Sequence, residues 1–373
     1  MKWIHISDLH IGKRVLEYSM IENQAYVLNE IVSYLVMHEI KILLISGDIY
    51  DTSIPIQEGV SLFNDFLNQL NKHEIKTLII SGNHDSNERL NYGSSIFNEQ
   101  GIYIRTQLDQ ISEPIIIKDE DGEVNFYMLP FCKPHHVRTF FQESCFDYNE
   151  MMRILIDKMN VDFSKRNVLL AHQFVLGKEG IPEKSDSEIY SLGGIDEISY
   201  QWLEKFDYVA LGHIHKPQKI QKESIRYSGS ILKYSTSEKH HIKSMVEGCL
   251  QHKQFTYQLI KLLPKQDLIE VKGKLQEILI SDAVNHQDFV QVTLTDEQKQ
   301  PQALYQLKNK FPYLLQLSYE TSPYQEEKTS EEKVVLDSPL AMFEQFYKLQ
   351  TQKSLNQTQL DYLQTILQEE EVE

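Results

Sequence analysis

The chain has 373 residues, 41% hydrophobic and 24% charged, as expected of a soluble globular protein with one large domain and one or two small ones. Lys and Arg number 37 against 54 Asp and Glu, and the net charge of −17 argues mildly against a chain that grips nucleic acid by charge alone. There is no 18-residue apolar run and no signal peptide, and three scattered cysteines (Cys132, Cys145, Cys249) exclude a disulfide framework or a zinc knuckle, so the expected location is the cytoplasm, away from membranes.

Residues 1–90 alternate strand, helix, strand, helix, strand, which predicts an α/β fold with helices outside a sheet. Apolar residues at helical spacing predict one helix over 22–38 (Ala25, Leu28, Ile31, Val32, Leu35) and a second over 57–70 (Val60, Phe63, Phe66, Leu67, Leu70). Residues 102–130 read as shorter, more polar strands with a turn at Asp121-Gly122, and 147–160 as a helix. Residues 175–194 are rich in Gly, Ser and charge and read as a mobile loop near His172; residues 225–234 read as a strand and turn. The stretch 239–253 carries no assignable function.

A boundary near Pro264 divides a first domain, 1–264, from a small α+β domain, 265–322, whose order is strand, helix, strand, helix, strand. Residues 323–337 are polar and acidic and read as a linker. Two short amphipathic helices then fill 338–373. Ser338-Pro339 starts the first, with Leu340, Phe343, Phe346 and Tyr347 as its stripe. Thr358 is the expected cap of the second, with Leu360, Leu363, Ile366 and Leu367 as its stripe. Their place after a polar linker predicts that they fill a partner's groove rather than pack on their own domain.

The chemistry-bearing pattern is a short apolar run that ends in a polar ligand type, and it occurs five times. Ile42-Leu-Leu-Ile-Ser46 leads into Gly47-Asp48; Trp3-Ile-His-Ile-Ser7 into Asp8-Leu-His10; Thr77-Leu-Ile-Ile-Ser81 into Gly82-Asn83-His84-Asp85. Asn167-Val-Leu-Leu-Ala171 leads into His172, and Tyr208-Val-Ala-Leu211 into Gly212-His213-Ile-His215. Carboxylate, imidazole and amide oxygen are ligands for hard or borderline divalent cations. Seven of them (Asp8, His10, Asp48, Asn83, His172, His213, His215) suit two metals that share one carboxylate, the arrangement that clamps both oxygens of a phosphoester displacement. The i, i+2 spacing of Asp8 with His10 and of His213 with His215 puts each pair on one side of an extended segment. Two cations would also reverse the local sign of an acidic chain.

One such histidine alone is more often a satisfied core or surface residue. It is the joint occurrence that points to metal. His5, His38, His73, His135, His136, His240, His241, His252 and His286 lack the context and read as surface or packing residues. His84, next to Asn83, is placed to face substrate, where its imidazole would stabilise charge or protonate a leaving oxygen. Asp85 would orient that imidazole, or would cap a helix over 86–92, or both.

This set, in this order, resembles the calcineurin-like metallophosphoesterase superfamily. Asp8-Leu-His-Ile-Gly-Lys-Arg14, Ser81-Gly-Asn-His-Asp-Ser-Asn-Glu-Arg-Leu90, Phe206-Asp-Tyr-Val-Ala-Leu-Gly-His-Ile-His215 and Arg226-Tyr-Ser-Gly-Ser230 resemble its bacterial SbcD nuclease group. The resemblance implies a β-sandwich flanked by helices, a capping domain over 265–322 and C-terminal helices. It implies a nuclease with two Mn²⁺ (Mg²⁺ as the other choice) that degrades double-stranded DNA ends 3′ to 5′, opens hairpins and cuts single strands, in DNA end processing, repair and recombination. It implies an SbcC ATPase partner on the C-terminal helices and a homodimer within a heterotetramer. Carried onto this chain, metal one would use Asp8, His10, Asp48 and His215, and metal two Asp48, Asn83, His172 and His213, with His84 assisting departure of the 3′ oxygen. Lys13, Arg14 and Arg89 would touch DNA phosphates, with surface salt bridges as an equal alternative. Archaeal and eukaryotic relatives often carry His where this chain has Asp51. The rival enzyme reading is a phosphatase or cyclic-nucleotide phosphodiesterase on the same metals. Protein phosphatases of the superfamily, however, carry an Arg that Tyr50-Asp51-Thr52 lacks. A non-catalytic scaffold is disfavoured because every ligand position is filled.

Overall fold

Strand Ile42–Ser46 is buried at all five positions because it is packed on both faces. Leu43 and Ile45 face a cluster built with helices Ile21–Met37 and Gln57–Lys72; Ile42 and Leu44 face a second sheet. The computed structural model describes residues 1–178, 182–183, 185–186, 196–320, 343, 347–348, 354–357 and 359–360. Residues Met1–Glu320 form one compact unit and Thr321–Glu373 a second.

The first sheet runs Gln254–Lys261, Ser244–Gln251, Lys2–Ile6, Ile42–Ser46, Lys76–Ile80, Ile102–Arg105. The second runs Gln218–Ile220, Lys222–Tyr227, Tyr208–Gly212, Arg166–His172, Gly122–Leu129, Ile115–Asp119. Trp3, Leu78, Phe126, Met128, Val168, Leu170, Tyr208 and Val246 fill the space between them. On the far side of the second sheet, Tyr127 and Leu129 meet helix Tyr148–Met159 through Met151, Met152 and Leu155. That helix starts where Asp147 accepts the Glu150 N–H at 2.8 Å. The result is a two-sheet sandwich between helices, the architecture that the resemblance implies.

Three local expectations change. Val60 is 45% exposed, and the inward place in the first turn of its helix is taken by Gly59, against Ile11. The hairpin turn is Glu120-Asp121, because Gly122 already pairs with Asp119. Strand Gly122–Leu129 is not polar but buried at its last six positions, since it runs parallel to Arg166–His172 inside the second sheet. His5 is a core residue, its Nδ1 2.8 Å from the Tyr208 hydroxyl, with burial lowering its pKa to about 3.

Residues 268–319 form a parallel three-stranded sheet, Leu268–Gly273, Phe289–Leu294 and Leu314–Tyr319, with helices Leu275–Ile280 and Ala303–Lys310. Leu275, Ile278, Val292, Leu307 and Phe311 make its own core, while Leu268 and Phe289 join the large cluster.

In the C-terminal unit, Phe343 is exposed and Tyr347 and Leu360 are half-buried. Asn356 and Gln359 form reciprocal side chain to backbone bonds, each 3.0 Å, a capping box two residues before the expected cap. Thr358, Leu340, Phe346, Leu363, Ile366, Leu367 and the linker 323–337 lie outside the described residues. No helix among the described residues is long and apolar enough to cross a membrane.

Candidate metal centre

The five ligand-bearing loops follow strands that run parallel within their sheets, so each sheet presents its ligands at one rim. Cross-sheet bonds bring the two rims together. Ser46 Oγ donates to Ala210 O at 2.9 Å, and His172 Nδ1 lies 2.7 Å from Ser46 O. Within the first sheet's rim, Asp8 N–H reaches Gly47 O and His10 N–H reaches Asp48 O, both at 3.0 Å. Asp8, His10 and Asp48 hold φ of 53°, 43° and 51°, a left-handed conformation uncommon outside glycine that is kept where the surroundings over-determine it. Two glycines allow the close approach: a Cβ on Gly47 would run into the His172 ring, and one on Gly82 into the Asp48 carboxylate.

All seven predicted ligands come together. His10 Nε2 lies 3.0 Å from His215 Nε2 and 3.6 Å from Asp48 Oδ2. His172 Nε2 lies 3.4 Å from Asp48 Oδ2 and 3.0 Å from Asn83 Oδ1, which is also 3.0 Å from His213 Nδ1. Asp8, His10 and His215 form one group of converging ligand atoms, and Asp8, Asp48 and His172 another. Asp8 also accepts the His213 N–H at 3.0 Å.

The ring nitrogens are placed as they would be around a cation. His172 Nδ1 faces a carbonyl and so carries its proton, leaving the Nε2 lone pair toward Asn83 and Asp48. His10 Nδ1 faces Asp51 Oδ1 at 3.6 Å and His215 Nδ1 faces Glu238 Oε1 at 3.4 Å. The two Nε2 atoms face each other across 3.0 Å, so with both rings neutral and protonated at Nδ1 their lone pairs converge. Acceptors aimed at acceptors repel unless a cation sits among them, and this donor set of carboxylates, imidazoles and an amide suits divalent metal.

The electrostatics agree. Burial would raise Asp48, but His172, His10 and His84 outweigh it and hold its carboxyl well below the usual range. Burial would lower His172, but the charge and hydrogen bond of Asp48, with Asp8, lift it to about 9. His213 is pushed down to about 3 by burial and by the charge of His172. Burial lowers His215, with its Glu238 partner opposing. The centre is a negative well in which protons and metal ions compete for the same atoms.

His84 stands at the edge of the cluster. Its N–H donates to Asp48 Oδ1 at 2.9 Å, its Nδ1 lies 2.8 Å from Asp51 O, and its ring meets His10 edge-on at 4.8 Å. A ring nitrogen of His84 converges with ligand atoms of His10 and Asp48.

Asp85 does not orient that imidazole. Its carboxylate accepts the N–H groups of Ile49, Tyr50 and Gly82 at 3.1, 3.0 and 2.9 Å, which pins the Asp48 loop to the Asn83 loop. It is not the helix cap either: Ser86 accepts the Arg89 N–H at the start of Asn87–Leu90. Lys13 pairs with Asp51 at 2.8 Å, Arg89 donates to Ser53 O at 2.7 Å, and Arg14 donates to Glu17 O.

Sequence reading missed the support behind His215. Lys243 Nζ donates to His215 O and Ser230 Oγ, each at 2.8 Å, and pairs with Glu238, which faces His215 Nδ1. Both side chains are buried. The only linear signal was a carboxylate and an ammonium five residues apart after the Arg226–Ser230 motif. Glu238→Gln removes the buried carboxylate that pairs with the Lys243 ammonium and faces His215, which is expected to cost about 3–5 kcal/mol of stability. Urea unfolding of the variant beside the wild type measures it, and a difference under about 1 kcal/mol would deny the pair that role.

Residues 1–217 match the family model described as calcineurin-like phosphoesterase, and residues 264–351 match one described as type 5 capsule protein repressor C-terminal domain. The SbcD subunit of the SbcCD nuclease of Staphylococcus epidermidis is 31% identical over 375 residues, covering 98% of this chain and 98% of that one. A dimetal phosphatase from Danio rerio aligns at 14% identity with a TM-score of 0.42, over 70% of this chain and 99% of that one. The matched motifs, the sandwich and the converging ligands agree: this chain belongs to the calcineurin-like phosphoesterase family, in its group of SbcD nucleases, and is a metal-dependent phosphoester hydrolase.

Proposed function

We propose that the chain is a DNA nuclease that trims double-stranded ends 3′ to 5′, opens hairpins and cuts single strands in end processing, repair and recombination. The observation that carries this reading is the end-to-end likeness to the SbcD subunit of an SbcCD nuclease, joined to a full set of convergent ligands. Asp8, His10, Asp48 and His215 would hold one cation, and Asp48, Asn83, His172 and His213 the second. Imidazole-rich ligation favours Mn²⁺ over Mg²⁺. When bound, the two cations activate water and offset charge on the transferred phosphoryl group.

The chain's own groups do the rest. Asp85 holds the two central loops in register through three backbone amides. Asp51 O keeps the His84 Nδ1 proton, so Nε2 is the atom that meets the departing 3′ oxygen. Lys13, Arg14 and Arg89 would exchange their present partners for DNA phosphates.

The proposed organisation is a nuclease domain over 1–264, a capping domain over 265–322, a linker over 323–337 and partner-binding helices over 338–373. The partner is an SbcC-type ATPase, in a heterotetramer built on a homodimer of this chain, in the cytoplasm. Leu360→Asp with Leu363→Asp is expected to abolish capture by SbcC in a pull-down while Mn²⁺-dependent hydrolysis persists; loss of both together would show that these residues serve the fold. The function itself is tested with linear duplex DNA labelled at its 5′ ends, Mn²⁺, and SbcC with ATP added or withheld. Progressive shortening from the 3′ end, faster with SbcC, is the expected result. Hydrolysis of a small phosphodiester with no DNA cleavage would move the function to the phosphatase reading.

A further inference from the structure

Beside the metal centre lies a second feature that the hydrolytic chemistry does not use. A cavity of about 480 Å³ opens between the loop after strand Gly122–Leu129, helix Pro134–Phe141 and the segment after Ile102–Arg105. The volume is that of a small-molecule site, about 300–1,000 Å³. It is lined by Phe131, Phe140, His135, His136, Thr106 and Asn87, among others, and no Lys, Arg, Asp or Glu lines it. In a chain of net charge −17 such a neutral lining stands apart.

Two observations say what would occupy it. The cavity touches the metal centre: the Phe131 ring meets His172 edge-on at 6.2 Å, and Phe131 N–H and the Asn87 side chain both bond Ser81, which precedes Gly82-Asn83. Its walls suit a flat uncharged ring, since Phe140 is 49% exposed, and burial with neighbouring cations lowers both His135 and His136, the latter to about 4. A lining without formal charge offers a phosphate no fixed counter-charge, whereas an aromatic face stacks on any base.

We propose that this cavity receives a nucleobase flanking the scissile phosphate, turned out of the stack, with Phe140 and the His135–His136 pair as its aromatic walls. This rests on the nuclease reading. A site of this kind would make single strands, hairpin tips and frayed ends better substrates than a fully paired duplex, because their bases leave the stack at least cost.

The test uses the full chain with Mn²⁺ and single-stranded oligonucleotides in which one abasic site is moved through the positions around the cut. Wild type is expected to show KM raised about five- to a hundredfold when the abasic site flanks the cut bond, and little change elsewhere. Phe140→Ala is expected to raise KM on the intact oligonucleotide by a similar factor and to lose the further penalty of the abasic site. A 2-aminopurine at the sensitive position should be quenched on binding to wild type and not to Phe140→Ala. Multiplying penalties for Phe140→Ala and the abasic site, or no sensitive position, overturns the base pocket and leaves the nuclease standing. Failure of wild type to cut any oligonucleotide overturns both.

Discussion

Asp48→Asn is expected to remove hydrolysis by about a thousandfold or more and to strip the centre of metal. Asp48 Oδ2 lies 3.6 Å from His10 Nε2 and 3.4 Å from His172 Nε2, so one carboxylate oxygen faces both halves of the ligand set. Its other oxygen accepts the His84 N–H at 2.9 Å. Asn keeps the shape and an acceptor for that N–H but removes the charge that two cations would share. Loss of metal should therefore come without loss of fold. The measurement is metal per chain after dialysis, with cleavage of 5′-labelled duplex and thermal unfolding on the same samples. Retention of two ions with activity within tenfold of wild type would remove Asp48 from the centre of the mechanism.

His84→Gln is expected to lower kcat by about 10²–10⁴ while both cations are retained. A ligand atom of His84 lies near those of His10 and Asp48, so geometry alone admits it as a metal ligand. Its Nδ1 is taken by Asp51 O, however, and its ring is half-buried where His10, His172, His213 and His215 are buried. That exposure fits a group that meets substrate. Metal content separates the roles. A drop to one ion per chain would make His84 a ligand, while an unchanged content with unchanged kcat would leave it no part in the chemistry.

Most of the centre was legible in the linear chain because its ligands follow a rule that sequence displays. Each ends a strand buried on both faces, and such strands read as short unbroken apolar runs. Asp8, His10, Asp48, Asn83, His172, His213 and His215 were found in this way, and the structure brings all seven together. The helices over 21–37, 57–72 and 148–159 were legible for the same kind of reason, since an apolar stripe repeats within one turn. Val60 fell outside its stripe because spacing gives an angle around the helix axis, while burial depends on what the neighbouring layer places there.

The alternation of strands and helices, the candidate ligands and the family they resemble could be read from the chain alone. All of these are local or periodic properties of the chain. The tertiary structure alone decided which hydrogen bonds each side chain makes. Asp85 turned from an imidazole partner into a clasp for three amides, Asp51 supplied the carbonyl that orients His84, and Glu238 with Lys243 came to stand behind His215. These pairings join residues as much as 36 positions apart, or lie in a stretch with no motif, and a hydrogen bond needs its two atoms set within about half an ångström, which spacing does not carry. The uncharged cavity beside the centre belongs to the same class, because Thr106, Phe131 and Phe140 lie on three separate segments and meet only when the second sheet is closed against the first.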